Sequence, residues 1–248
     1  LITLGGIGFA VITSFMAVIR NGIDRFNLTS KMAILISILL TFGGMLLFFL
    51  LEYSNPNTLG DLNFFEKILA SYFQSVTLRT AGFNTVPLGS LRDATIFISC
   101  ILMFIGASPG STGGGIKTTT FGVVMFYVIG IAKKKENIEV FNRRIDWEIL
   151  NRALAILVIA ITYVAFIITC ILVIEEFPME QVVFEVISAF GTVGLTLGIT
   201  PQLSALSKLL IIVTMFIGRL GPLTFALAIG ESKKKAISKY PKENILVG

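Results

Sequence analysis

The stretch Thr192-Val193-Gly194-Leu195, read beside Thr80-Ala81-Gly82-Phe83, decides the fold of this chain. The two copies lie 112 residues apart, and the identical tetrapeptides Met103-Phe104-Ile105-Gly106 and Met215-Phe216-Ile217-Gly218 share that offset. One matched string can arise by chance, but two in the same register argue for a duplicated unit. Each Thr-x-Gly stretch follows a short apolar segment, residues 62–76 or 179–189. At ~1.5 Å per residue such a segment covers about half of a bilayer crossing.

Composition sets the solvent. The chain is 54% hydrophobic and 14% charged with a mean hydropathy of +0.87, a departure from soluble averages that long apolar runs produce. Residues 32–51 and 152–174 are long enough to span a bilayer, and further apolar runs surround 94–105, 121–131 and 206–229. A net charge of +5 would suggest nucleic acid in a soluble protein, but here the basic residues fall between the spans. Three segments hold most of them: Arg20, Arg25 and Lys31; Lys133, Lys134, Lys135, Arg143, Arg144 and Arg152; and Lys233, Lys234, Lys235, Lys239 and Lys242. By the positive-inside rule those segments are cytoplasmic, so both Thr-x-Gly stretches enter from the outer face, beside Glu52, Asp61, Glu175 and Glu176. With no histidine and only Cys100 and Cys170, both in apolar runs, zinc chemistry and histidine acid–base catalysis lack their residues. The expectation is an inert pair of thiols and a protein that is not an enzyme.

The chain divides accordingly. Residues 1–18 are expected to be the inner helix of a truncated preceding repeat, because Leu4-Gly5-Gly6-Ile7-Gly8-Phe9 resembles Ile217-Gly218-Arg219-Leu220-Gly221-Pro222. A cytoplasmic loop follows at 19–31, then a repeat at 32–131 whose second helix must break. As one helix its last forty residues would measure ~60 Å, about twice the ~30 Å hydrocarbon core. The break is the run Gly106-Ala107-Ser108-Pro109-Gly110-Ser111-Thr112-Gly113-Gly114-Gly115, which no continuous helix tolerates. Residues 132–151 form a charged cytoplasmic connection carrying Trp147 at interface depth. The last repeat covers 152–230, and 231–248 is a cytoplasmic tail.

Glycine supplies the torsions that let a short loop turn its carbonyl oxygens toward an axis, where they can replace the water shell of a monovalent cation. Gly82 and Gly194 occupy that place. Irregular backbone at membrane depth is tolerated where protein covers it or it lines a water-filled path, which suits residues 106–117 to a gate. Gly115-Ile116-Lys117-Thr118 approaches a phosphate-binding string, but Ile116 separates the glycine from the lysine and no strand precedes it.

The strings Gln74-Ser75-Val76-Thr77-Leu78-Arg79-Thr80-Ala81-Gly82-Phe83-Asn84-Thr85, Phe190-Gly191-Thr192-Val193-Gly194-Leu195 and Ser108-Pro109-Gly110-Ser111-Thr112-Gly113-Gly114-Gly115-Ile116-Lys117-Thr118 resemble the Trk/Ktr/HKT superfamily of potassium transporters, nearest to its bacterial Ktr membrane subunits. The ending, residues 240–248, fits the same branch. The resemblance covers essentially the whole chain. It implies an all-α integral membrane protein built from span, pore helix, filter loop and span units of a K⁺-channel-like pore. In that family four such units surround one pore; this chain supplies two filter strands.

Carried onto this sequence, the resemblance makes Arg79, Thr80, Ala81, Gly82 and Phe83, with Gly191, Thr192, Val193, Gly194 and Leu195, the selectivity filter, with K⁺ on its carbonyls. The gate becomes Gly106, Ser108, Pro109, Gly110, Ser111, Thr112, Gly113, Gly114, Gly115 and Lys117, closed from the last helix by Arg219. It further implies K⁺ as the ion, with Na⁺ as a second candidate, a homodimer docked on a cytosolic nucleotide-binding regulatory ring, contact with membrane lipid, and a bacterial cell membrane with the C-terminus cytoplasmic.

Three intramembrane cations need partners, since each costs at least ~2.5–3.5 kcal/mol at the bilayer centre on insertion scales. Arg219 is expected to bond loop carbonyls, Lys117 to end the gate loop, and Arg79 to brace its filter through Glu66 or Glu185. A secondary carrier, with broken helices binding a small solute at the midplane, is the alternative class; it predicts saturable solute transport without unitary current. A non-transporting structural subunit is a third, and would tolerate polar substitution at Gly82.

Overall fold

A computed structural model describes residues 2–21, 27–134 and 139–221, with Ala10, Arg20 and Asn21 described by backbone alone. The expected loop residues 22–26, the end of the last repeat at 222–230 and the tail at 231–248, with its lysines, lie outside the described residues.

The elements are helical and come in a repeating order. Helices α1 (Ile2–Ile7) and α2 (Phe9–Asn21) precede a long helix, α3 (Leu28–Glu52). A short helix α4 (Phe64–Thr77), a loop, and helix α5 (Asp93–Phe104) follow, and α6 (Thr118–Ala132) continues beyond the glycine-rich interruption. The order then recurs as long helix α7 (Trp147–Ile174), short helix α8 (Met179–Gly191), a loop and helix α9 (Ala205–Leu220). Helices α3 and α7, of 25 and 28 residues, are long and apolar enough to cross a membrane. Leu46, Leu50, Val158, Phe166 and Val173 stand exposed on them, as side chains facing lipid would.

Two helices begin earlier than the apolar runs suggest. Asn27 caps α3, its side chain accepting from the Ser30 amide at 2.8 Å, and α7 starts at Trp147, whose ring meets Tyr127 edge-on at 5.9 Å. The expected single helix over 1–18 is two, because Gly8 adopts φ +87° and ends the first. The connection at 132–151 contains a small hairpin, strands β1 (Glu139–Val140) and β2 (Arg143–Arg144), turning through Phe141 and Asn142 with φ 50° and 59°. Hydrophobic periodicity gave no sign of it, since each strand is two residues long.

Packing between helices relies on small and hydroxyl-bearing residues, as it must where lipid is no more hostile to leucine than another helix is. Along the α3/α4 seam a Cβ on Gly44 would press on Ser75, and the Ser75 hydroxyl donates to the Thr41 carbonyl at 2.7 Å. Helix α8 is the centre of the second half, packed by α5, α7 and α9, with Phe184 and Phe190 fully buried. Phe104 stacks on Phe190 at 5.5 Å and joins the two halves.

The C-terminal ends of the two long helices are fastened by carboxylates. Glu52, fully buried at the end of α3, accepts from the Arg92 amide (3.0 Å) at the start of α5, from Asn55 Nδ2 (2.6 Å), and from the hydroxyls of Thr58 (2.7 Å) and Thr95. Glu175, just past α7, accepts from the Ser204 amide at 2.8 Å, and Ser204 caps α9. Each long helix thus holds the helix that runs back from its own loop.

Candidate functional site

Each short helix delivers its loop in the same way. Helix α4 starts with a capping box between Asn63 and Glu66, both bonds 3.0 Å, and α8 starts directly after Pro178. Helix α8 stops at Thr192, in the left-handed region at φ 54°, and α4 ends three residues before Thr80, which is left-handed at φ 68°. Two residues later Gly82 and Gly194 also turn left-handed, at φ 77° and 89°. The matched offset in sequence is therefore matched in backbone torsion, at a place where only glycine is unstrained.

The two loops meet. A Cβ on Gly82 would run into the Val193 carbonyl oxygen, and one on Gly194 would lie 3.9 Å from Gly82 Cα. Val193 and Leu195 turn their side chains into the core that α5 shares with Leu78 and Phe184, while Gly194 and Phe83 remain exposed. Apolar side chains go one way, and the glycine edges of both loops face each other.

The glycine-rich loop lies against the threonines of both. Chain entry and exit are clamped by a parallel bridge between Ile105 and Ile116, so residues 106–115 bulge out and return to their starting point. A Cβ on Gly113 would meet Thr80, and one on Gly114 would meet Thr192. The Gly114 amide donates to the Thr192 hydroxyl at 2.8 Å, and the Gly115 amide donates to the Gly218 carbonyl at 3.2 Å. At its far side the loop reaches α1 and α2: Ser108 donates its amide to Gly6 O at 3.0 Å, and Phe9 donates to Gly110 O at 3.2 Å, where Gly8 packs on the Pro109 carbonyl. Ser111 folds back on Ser108, and Thr118 holds the Ser108 hydroxyl at 3.0 Å, leaving Thr112 exposed.

The three cations are placed differently from expectation in part. Lys117 bonds the loop itself, its Nζ donating to Gly113 O at 2.6 Å. Arg219, expected to do so, donates no hydrogen bond among the described residues; it stands exposed and close enough to Lys117 to repel it. Arg79 is buried, but its guanidinium points back to α3, donating to Ser37 O and Thr41 Oγ1 (both 3.3 Å) and to Ser37 Oγ (3.1 Å). Neither expected carboxylate receives it: Glu66 serves the α4 cap, and Glu185 accepts from Thr200. Ser37 and Thr41 are thus site-supporting residues that sequence reading missed, although two hydroxyls four apart in an apolar helix mark one polar face. Thr77 was missed too; it accepts from the Phe83 amide at 2.9 Å and donates to the Phe83 carbonyl.

Among the described residues no group of three or more Cys, Asp or Glu converges as a metal site would require, and Cys100 and Cys170 are free, the first buried and the second half-buried. What remains at the meeting point is backbone: glycine edges, carbonyls and threonine hydroxyls, with two cations on the loop side.

A family model described as a cation transport protein, TrkH, matches residues 1–239. The Ktr system potassium uptake protein B of Bacillus subtilis is 44% identical over 98% of this chain, and that of Vibrio alginolyticus 39% over all of it; the chain covers 54% of each. The potassium/sodium uptake protein NtpJ of Enterococcus hirae is 38% identical over the whole chain, which covers 56% of it. The chain therefore spans about half the length of the curated relatives it matches. The crystal structure of the potassium transporter TrkH from Vibrio parahaemolyticus superposes with a TM-score of 0.74 over 92% of this chain and 50% of that one, at 16% identity, a likeness of fold. With the duplicated loops, the shared fold and a family model running nearly end to end, the chain belongs to the TrkH family of cation transport proteins.

Proposed function

We propose that this chain forms part of a potassium uptake pore in the cell membrane, with Thr80–Phe83 and Thr192–Leu195 as two of its filter strands. The observation that carries the reading is the contact of the two glycine edges, where the Val193 oxygen abuts Gly82. Carbonyls brought that close from two loops can share one dehydrated ion, and K⁺ is the substrate, with Na⁺ as the competing ion. Relatives named for potassium uptake, and one for potassium and sodium, support the choice. None is named for an organic solute, so the carrier alternative is not favoured.

The loop at 106–117 is the gate in this proposal. It lies against both threonines of the proposed filter and is held by the Thr192 hydroxyl and the Lys117 ammonium. Lys117 and Arg219 place positive charge beside the ion path, so an open state must move them or neutralise them. The family resemblance implies a homodimer on a cytosolic nucleotide-binding ring; the hairpin with exposed Arg143 and Arg144 offers a basic face for it. That orientation puts the C-terminus in the cytoplasm.

The test is Rb⁺ flux into proteoliposomes carrying the full-length protein. Gly194→Ser is expected to lower flux or its preference for Rb⁺ over Na⁺, with folding unchanged by thermal unfolding. Equal flux and preference would remove the filter assignment.

A further inference from the structure

Resting on that filter reading, we infer that Glu185 is a positioning residue that holds the outgoing end of the second filter strand, in place of the threonine that holds the first. In the first loop the tie is direct: Thr77, in the last turn of α4, bonds both the amide and the carbonyl of Phe83. The register of the repeat, 112 residues, puts Ala189 where Thr77 would be and Leu195 where Phe83 would be. Alanine has no hydroxyl, so the second strand cannot be tied this way.

A different tie stands one turn earlier on α8. Glu185, only 7% exposed, accepts from the Thr200 hydroxyl at 2.5 Å. The Thr200 and Thr196 hydroxyl oxygens are 2.9 Å apart, and Thr196 Oγ1 accepts from the Gly198 amide at 2.9 Å. The chain of bonds runs from a carboxylate on the short helix to the segment that leaves the filter, residues 196–200. Gly198 needs the restraint, since it sits at φ +104° with no neighbour within 4 Å of a Cβ placed there. Beside this chain of bonds, Glu185, Ala189, Thr192, Leu195, Thr196 and Thr200 are among the residues that line a cavity of about 240 Å³. The second carboxyl oxygen of Glu185 is buried with no hydrogen-bond partner among the described residues. Burying a carboxyl oxygen without a partner costs free energy that a plain packing residue would not.

The test uses full-length protein with two readouts, amide hydrogen exchange at Gly198 and the preference for Rb⁺ over Na⁺ in proteoliposomes. Glu185→Leu and Thr200→Val are each expected to speed exchange and to lower the preference about tenfold, within the range carried by one hydrogen bond. Glu185→Gln retains an acceptor for Thr200 and is expected to stay near the parent in both. Adding Ala189→Thr to Glu185→Leu supplies the hydroxyl of the first loop and is expected to restore the preference. Should Glu185→Leu not fold, Thr200→Val carries the comparison alone. Parental exchange at Gly198 in Thr200→Val overturns the tether, as does faster exchange with unchanged preference. So does a loss in Glu185→Gln without one in Thr200→Val, or a lost preference that Ala189→Thr leaves unrestored. Absence of Rb⁺ flux in the parent would instead overturn the pore reading, while the exchange result would stand by itself.

Discussion

The amide of Gly114 donates to the side-chain hydroxyl of Thr192 at 2.8 Å, so the glycine-rich loop of one repeat is held by the Thr-x-Gly loop of the next. The bond couples gate to filter in the proposed pore, because the same residue that turns the second strand also receives the loop. Replacing Thr192 with valine removes the acceptor and keeps the shape. With about 1 kcal/mol lost, basal Rb⁺ uptake by the full-length protein should rise about fivefold. Uptake unchanged in initial-rate measurements would mean that this hydroxyl does not hold the loop shut.

Lys117 acts on the neighbouring residue, donating to Gly113 O at 2.6 Å while Arg219 repels it. Lys117→Met should also raise basal uptake. Because Gly113 and Gly114 are adjacent, the two restraints share one movement and their effects should not add. The Lys117→Met, Thr192→Val double variant is expected to exceed the larger single effect by less than the product of the two. A clean product would show two independent restraints.

Much of this site was legible in the sequence because glycine and repetition constrain backbone directly. Gly82 and Gly194, found from a shared offset, share a left-handed torsion; Gly106 and Gly218, which close the repeated Met-Phe-Ile-Gly, each lie where a Cβ would strike a carbonyl, that of Gly114 or of Phe190. Side-chain partners were less legible. Arg79 finds Ser37 and Thr41 some forty positions earlier, a pairing set by how α3 and α4 pack, and charge alone pointed wrongly to Glu66 or Glu185. Local turns were least legible. Phe141-Asn142 turns the small hairpin without a glycine, and Gly8 breaks the first helix although Gly5 and Gly6 do not.

Arg79 supplies a stability test. Its three bonds need the planar fork of a guanidinium, which a lysine cannot imitate. Arg79→Lys keeps the charge yet leaves Ser37 and Thr41 without their shared donor, at about 1.5–3 kcal/mol for bonds to a charged group. Thermal unfolding in detergent should show a lowered Tm, and Arg79→Met should not be worse than Arg79→Lys if the buried charge gains nothing else. A Tm unchanged in Arg79→Lys would mean that the fork geometry is irrelevant.

Acid should loosen the N-terminal end of α9. The Ser207 hydroxyl, then the hydroxyl and amide of Ser204, hold the Glu175 carboxyl below its ordinary 4.5. A carboxylate depressed in the folded state contributes stability above its unfolded value, and that contribution is lost as pH falls through the folded one. The cap should therefore be intact at neutral pH and fail below about pH 4.5. Hydrogen exchange at the Ser204 amide should accelerate in that range beyond its intrinsic pH dependence, and Glu175→Gln should remove the extra acceleration.

The two glycines of the proposed filter should not be equivalent. Both sit at positive φ, where a side chain costs about 1–2 kcal/mol, but only Gly82 has a carbonyl in the way of a Cβ; at Gly194 the nearest atom is 3.9 Å off. Gly194→Ala therefore meets torsional strain alone and should keep measurable Rb⁺ flux, lowered about tenfold at ~1.4 kcal/mol. Gly82→Ala must also displace the Val193 oxygen, one of the atoms proposed to bind the ion, so its flux should fall by more than about a hundredfold. The order of the two variants, measured in the same vesicles at matched protein density, is the decisive quantity. If Gly194→Ala proved the more damaging, the Val193 oxygen would not be where the ion path needs it.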